Sequence, residues 1–524
     1  MSNEKGKTKM DICVIGAGPA GLTAIRQLLA EGHTVRCFEK DDDIGGVFKK
    51  GNSYDSLLLT ISNYFMAYSD FMPFSERLRI WTGREYEQYL HRYADHYGLR
   101  ETIAFETEVT SVRKKGDSWL VTVVHGQKTT EHAFDAVAVC SGHFQKPNIP
   151  TIEGLDGFSG RILHALEYKN PHPFEGRRVL CVGLGETSSD VTSEISTVAE
   201  ECTLSLRRYQ TVAPRYMPFQ RDPYFTIDTG HATSRAMNAL SHRLYGLLHR
   251  GNHRDLSKAR QPHTRLRIKW LKEAGPFTSQ VITKNERIFE YIADGKVRCN
   301  MAGIERFEAN KVFFKDGQSN DIDDVVFCTG FKLSFPFLDR EIGNTRDLYK
   351  QMFLPDVGKS LAFIGFARPL QGGVPVIAEM QSRYFAALCS GKVELPSPDN
   401  MVRQAKGDRR YWEEQFHITP HVSSLVNYCH YMDDLAGLTG CAPVIPSFIK
   451  DPVFYTKMYL GPQFAIQYRL NGQHSRNQEA CDFIRSFPLM HSPPKTAFML
   501  LMFWLSRTLP FAILEPRAKP ECFT

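Results

Sequence analysis

The chain lacks any cysteine pair of redox spacing: its 12 cysteines are scattered, with no C-x-x-C and no Cys/His cluster of zinc spacing. That excludes a reductase working through its own dithiol, and no metal site is expected. Cys13, Cys140, Cys181 and Cys328 sit in apolar runs and read as small core residues. Excess charge of one sign is also missing. Lys+Arg 64 against Asp+Glu 58 leaves a formal charge of +6 over 524 residues, so no nucleic acid is expected as a partner. No apolar run reaches the roughly 20 residues of a membrane span. Residues 1–9 are polar, so no signal peptide is expected; an intracellular setting is, cytoplasmic or membrane-associated. What is present is a 42% hydrophobic chain, long enough for two or three folded domains.

The most informative stretch is Val14 to Leu22. It predicts the end of a strand, a glycine turn and a helix start. Gly16, Gly18 and Gly21 carry the G-x-G-x-x-G spacing, with Ala17, Pro19 and Ala20 between them. The first glycine suits a tight turn. The second allows backbone to approach a pyrophosphate, and the third allows close packing of helix on strand. Thr34–Phe38 predicts a second strand, and Glu39 closes it where an acid accepts a hydrogen bond from a ribose hydroxyl. Gly45-Gly46-Val47-Phe48 follows, able to lie against a flat cofactor. Ser62 and Asn63 are polar residues inside a long apolar and aromatic run, and need backbone or ligand partners there. Residues 105–140 alternate as strands, ending in Ser141-Gly142, and Pro147 and Pro150 mark a linker.

A second strand, glycine turn and helix stands at Arg178–Asp190. Gly183 and Gly185 hold the first two positions, and Ser188 replaces the third glycine, so the helix is expected to stand slightly off the sheet. The next strand, Cys202–Leu206, ends in Arg207-Arg208. Arginine pairs with a 2′-phosphate where an acid binds a free ribose hydroxyl. The first unit therefore prefers FAD or NAD, and the second NADP. Asp323–Phe331 and Leu361–Gly365 are further buried strands of a nucleotide-binding sheet, and Gly372–Gln381 a turn and helix. Arg250–Lys269 carries seven Lys or Arg against one acid, Asp255, and reads as a solvated helix face. Ala497–Leu505 is nine apolar residues, and the run resumes at Leu509–Leu514. It is either an interfacial anchor or a helix docked on the protein.

Between the two turns, Phe158, Gly160, His164 and Tyr168 fit F-x-G-x-x-x-H-x-x-x-[YF]. On these residues the chain resembles the flavin-containing monooxygenases. The resemblance takes in both turns, Glu39, Gly45–Phe48, Ser62–Phe71, Ser205–Arg208, Pro214-Arg215, Cys328–Phe331 and Glu379–Arg383. Baeyer–Villiger monooxygenases share most of this, but their fingerprint ends in Trp where Tyr168 stands. The resemblance implies an α/β fold with two Rossmann-like domains, an FAD domain with an NADPH domain inserted, and a C-terminal extension. Expected boundaries are 8–168 and 323–445 for the FAD domain, 169–322 for the NADPH domain and 446–524 for the extension. FAD would meet Gly16–Ala20, Gly21, Glu39, Gly46, Val47, Phe48, Ser62 and Asn63. NADPH would meet Gly183, Gly185, Thr187, Ser188, Ser189, Asp190, Arg207 and Arg208, and Gln381 also counts as cofactor-binding. NADPH reduces the flavin, O2 forms a C4a-hydroperoxyflavin, and its distal oxygen passes to a soft nucleophile. Asn63 is the expected catalytic side chain, beside the flavin and nicotinamide, with turn capping as the alternative. His164 and Tyr168 are expected to hold the two domains together. N- or S-oxygenation of a small molecule is expected, with ketone oxygenation and an inactive flavin- or NADP-binding sensor or scaffold as alternatives. Substrate contacts are expected from 217–280 and 400–445. Peripheral membrane contact through 497–514 and a homodimer are left open.

Overall fold

The computed structural model describes residues 9–216, 226, 228, 234–236, 261–274, 282–415, 424–489 and 492–508. Most of 217–280, residues 416–423 of the other expected substrate-contact segment, and the apolar end 509–514 lie outside these.

Asp11–Ile15 is a short run of apolar residues because both of its faces are covered. It sits at the centre of a five-stranded parallel sheet in the order Leu361–Phe363, Ala136–Val139, Asp11–Ile15, Thr34–Phe38, Ile103–Ala104. Side chains alternate between two cores, as the two-residue strand period requires. Ile12, Val14, Ala136, Ala138 and Ala362 face the helices Pro19–Ala30 and Val374–Cys389. Cys13, Ile15, Val137, Val139 and Phe363 face an antiparallel meander of Thr107–Lys115, Ser118–His125 and Lys128–Phe134. The helix side is lined with alanines, so the helices approach closely.

The second parallel sheet also has five strands, in the order Arg161–His164, Asp324–Phe327, Arg178–Val182, Glu201–Ser205, Arg298–Asn300. Its two faces repeat the plan. Val179 and Cys181 pack with Val191, Ile195, Trp270 and Phe289 on helices. Leu180, Val325 and Phe327 pack on the meander Ile304–Glu308, Lys311–Phe314, Ser319–Asp321.

Arg161–His164 falls within the expected span of the first domain and Asp324–Phe327 within that of its return, yet both strands pair in the second sheet. The chain regains the first sheet only at Leu361–Phe363. Two crossings join the units, and they are tied to each other: Lys146-Pro147 pairs antiparallel with Phe331-Lys332, and the Asn148 N–H donates to the Gly330 carbonyl at 2.9 Å.

The C-terminal segment belongs to the first unit's core rather than lying outside it. Phe464, Ile466, Leu470, Phe483, Ile484 and Phe487 join that cluster. Arg469, 1% exposed, bridges Glu379 at 2.9 Å and donates to the Ser69 hydroxyl at 2.6 Å. Helix Pro493–Thr508 docks through Phe503, whose ring lies 4.9 Å from Tyr459, and leaves Phe498, Leu501 and Trp504 exposed. Among the described residues, no helix is long and apolar enough to cross a membrane.

Candidate functional site

The two glycine turns stand at the carboxyl ends of the central strands, where doubly wound sheets take their ligands. Gly16 has φ +99°, a conformation L side chains rarely adopt, and a Cβ there would lie 2.9 Å from the Cys140 carbonyl oxygen. Gly183 repeats this with φ +94° and the Cys328 carbonyl at 2.9 Å. A Cβ on Gly21 would stand 1.8 Å from the Gly16 oxygen, so glycine alone lets that helix settle. Its counterpart Ser188 donates its hydroxyl to the Gly183 carbonyl at 2.6 Å. Beside the first turn, the Gly45 N–H donates to the Ala17 carbonyl at 3.1 Å. A Cβ on Gly46 would lie 3.1 Å from Gly18 Cα, so the Gly46–Phe48 turn is held directly against the glycine turn. Phe48 packs edge-on to Tyr86 at 4.7 Å, with Val47 half-buried beside it. Both turns leave room for backbone to approach a phosphate, and a Cβ at Gly185 would meet nothing within 4 Å. These cradles fit two dinucleotides.

Glu39 is 5% exposed at the end of its strand. It accepts from the Ala17 N–H at 2.6 Å and the Asp41 N–H at 2.9 Å, so it braces the turn. Burial raises its pKa, while these two N–H groups pull the other way. The matching end of the second unit is open: Arg207 and Arg208 are exposed and form no ion pair among the described residues.

Asn63 is fully buried, and its carboxamide is largely spent on the neighbouring loop. Oδ1 accepts from Tyr64 N–H at 3.0 Å and Arg79 N–H at 3.2 Å, and Nδ2 donates to the Arg77 carbonyl at 3.0 Å. One amide N–H is left. Ser62 donates both its N–H and its hydroxyl to Asp228, each at 2.7 Å. Gln381 accepts from the Gly365 N–H at 2.8 Å and donates to the Tyr431 hydroxyl at 2.8 Å, bracing the turn that follows strand Leu361–Phe363.

In the second turn, Thr187 is half-buried with no partner among the side-chain hydrogen bonds described, and Ser189 donates to the Asn285 carbonyl at 2.9 Å. Asp190 accepts from Tyr54 at 2.7 Å and from Asn285, with Arg215 at 3.5 Å. Tyr168 donates to Glu194 at 2.7 Å, and Ser56 bonds the same carboxylate. His164 Nε2 donates to the Gly330 carbonyl at 3.0 Å, and burial lowers the ring's pKa. The Tyr54 and Ser56 contacts clasp the two units across the cleft between them, whereas Tyr168–Glu194 and His164–Gly330 lie within the second unit, whose sheet Arg161–His164 joins.

Sequence reasoning missed a charged cluster at this cleft. Glu186 opens the second helix, in the position Pro19 holds in the first. Its carboxylate accepts the Lys284 N–H at 2.9 Å, and burial pushes its pKa up to about 7. Lys284 is 7% exposed with its pKa lowered by burial, and its ammonium forms no ion pair among the described residues. Arg368 faces Glu186 from the first unit. Only Glu186 carried a signal: an acid in the first turn of a phosphate-binding helix opposes the anion unless cations stand near.

Two dinucleotide-binding units, one ending in a bracing acid and one in exposed arginines, define a protein built to hold two dinucleotides. A family model described as flavin-binding monooxygenase-like (FMO-like) matches residues 9–484. A 4-hydroxybenzoate brominase (decarboxylating) of Pseudoalteromonas luteoviolacea is 54% identical over 484 residues, covering 92% of this chain and 94% of that one. Flavin-containing monooxygenase 5 of Rattus norvegicus is 32% identical over 485 residues, covering 88% and 89%. The S-allyl-L-cysteine S-oxygenase structure from Allium sativum aligns with a TM-score of 0.60 at 21% identity, covering 95% and 99%. The chain belongs to the flavin-binding monooxygenase-like family, and its cofactors are FAD and NADPH.

Proposed function

We propose that this chain halogenates and decarboxylates a phenolic acid of the 4-hydroxybenzoate class. The observation that carries the reading is the 54% identity to a relative of that activity, along 94% of the relative's length. It keeps the chemistry expected from the sequence, oxygen transfer to a soft nucleophile, and makes that nucleophile a halide. When bound and reduced by NADPH, FAD supplies one electrophilic oxygen atom drawn from O2.

The chain's own residues bind, orient and exclude water. The turn from Gly16 to Gly21 takes the FAD pyrophosphate, Glu39 its ribose, and Gly46–Phe48 borders the ring. Gly183 to Asp190 takes the NADPH pyrophosphate, with Arg207 and Arg208 at the 2′-phosphate. Asn63 meets the ligands with its one remaining N–H, while its carbonyl fixes the 77–79 backbone. The clasp through Tyr54 and Ser56 keeps the cleft closed enough to limit wasteful peroxide release.

N- or S-oxygenation is the second reading, supported by the 32% identity to a flavin-containing monooxygenase. The test is to supply FAD-loaded protein with NADPH, O2 and 4-hydroxybenzoate, with and without bromide. The proposal expects a brominated phenol lacking the carboxyl group, formed only with bromide. Oxygenation of an amine or sulfide with no brominated product would overturn it.

A further inference from the structure

Arg368 is a cation without a counter-ion. Arg368-Pro369 follows the strand Leu361–Phe363 at the carboxyl end of the first sheet and pairs in parallel with Leu425-Val426. Only its backbone is used there: the Arg368 N–H donates to the Ser424 carbonyl at 3.0 Å. The half-buried guanidinium forms no hydrogen bond or ion pair among the described residues. Glu186 faces it across the cleft beyond ion-pair range and is already engaged by the Lys284 N–H.

The neighbours offer no anion either. His143 stands beside Arg368, its ring faces the Gly365 carbonyl, and its buried Nε2 has no partner. Burial and the adjacent guanidinium hold its pKa down to about 3, so it stays neutral. Gln371 Oε1 is also buried and unpartnered. Other arginines withdrawn from water have partners: Arg469 pairs with Glu379, Arg235 with Asp433 and Arg215 with Asp190, while Arg383 and Arg346 donate to the Tyr468 and Leu425 carbonyls.

A guanidinium withdrawn from water is costly unless an anion meets it. Its planar fork matches a carboxylate through two parallel N–H···O bonds. We propose that Arg368 is the seat of the aromatic acid's carboxylate, orienting the ring in the cleft between the two units. Which acid it holds rests on the proposed function; that it holds an organic carboxylate rests on the unpaired cation. A product that has lost the carboxylate has no hold on Arg368 and is released.

The test titrates FAD-loaded enzyme with 4-hydroxybenzoate and, separately, with 4-methylphenol, which lacks the carboxylate, by calorimetry. Arg368→Gln is expected to weaken 4-hydroxybenzoate at least about tenfold. It should move 4-methylphenol less than about twofold and leave the NADPH KM and FAD content unchanged. Arg368→Lys, which keeps the charge but loses the fork, is expected to fall between, and replaces the glutamine variant if that one loses FAD. Unchanged 4-hydroxybenzoate affinity, equal losses for both ligands, or a loss confined to NADPH overturns the assignment. An enzyme that forms no brominated product, yet binds 4-hydroxybenzoate through Arg368, would refute the proposed function and leave this inference standing. Bromination with Arg368-independent binding would do the reverse.

Discussion

In the first unit the Gly16 carbonyl faces Gly21, where even a methyl group would stand 1.8 Å from the oxygen; in the second the Gly183 carbonyl accepts the Ser188 hydroxyl at 2.6 Å. Both sheets have five parallel strands, a helical face and a three-stranded antiparallel face. The finish differs. The first turn is braced by buried Glu39 and by the Gly45-Gly46 loop, while the second ends in exposed Arg207 and Arg208. The third glycine is thus a packing requirement of one unit. In the other, a serine takes the glycine's place and its hydroxyl satisfies the carbonyl. The braced unit suits a cofactor that stays bound, and the open one a cofactor that comes and goes.

The sharpest way to break this comparison is to exchange the third positions. Gly21→Ala drives a methyl into backbone and is expected to cost about 3 kcal/mol or more, with loss of FAD. Ser188→Gly removes one hydrogen bond and adds a helical glycine, for about 1–2 kcal/mol, with NADPH oxidation retained. Denaturant melts and FAD absorbance check both; equal losses would erase the distinction.

Next in size is Glu39→Ala. It strips the Ala17 N–H of its buried acceptor and is expected to cost about 1–3 kcal/mol together with weaker FAD retention. Retention equal to that of the parent protein would mean that Glu39 neither braces the turn nor meets the ribose.

The smallest effect is pH-dependent and belongs to the second unit. The folded Glu186 holds its proton up to about pH 7, whereas the unfolded chain releases it near the ordinary value of 4.5. Between those values the native state binds more protons, so this group's contribution makes stability fall as pH rises. Glu186→Gln should flatten that part of the slope in melts between pH 5 and 7. An unaltered slope would remove Glu186 from the charged cluster's titration.

The parallel strands and both turns were legible because strands covered on two faces read as unbroken apolar runs ending in glycine. The sheet that Arg161–His164 and Asp324–Phe327 join was not legible, because their register is fixed by partners far along the chain. Asn63 and Gln381 announced themselves as polar residues in apolar surroundings, but not that nearby backbone uses most of their hydrogen-bonding capacity. The Glu186–Lys284 contact spans 98 residues and carried no motif.

The measurement that tests the division of the two nucleotides most directly is anaerobic reduction of bound FAD by NADPH and by NADH. It is made in the parent protein and in the Arg207→Ser, Arg208→Ser double variant. The account predicts that NADPH bleaches the parent's flavin much faster than NADH, and that the preference collapses by about tenfold or more in the variant while the NADH rate holds. Equal rates with both nucleotides, or a preference that survives the double substitution, would contradict it.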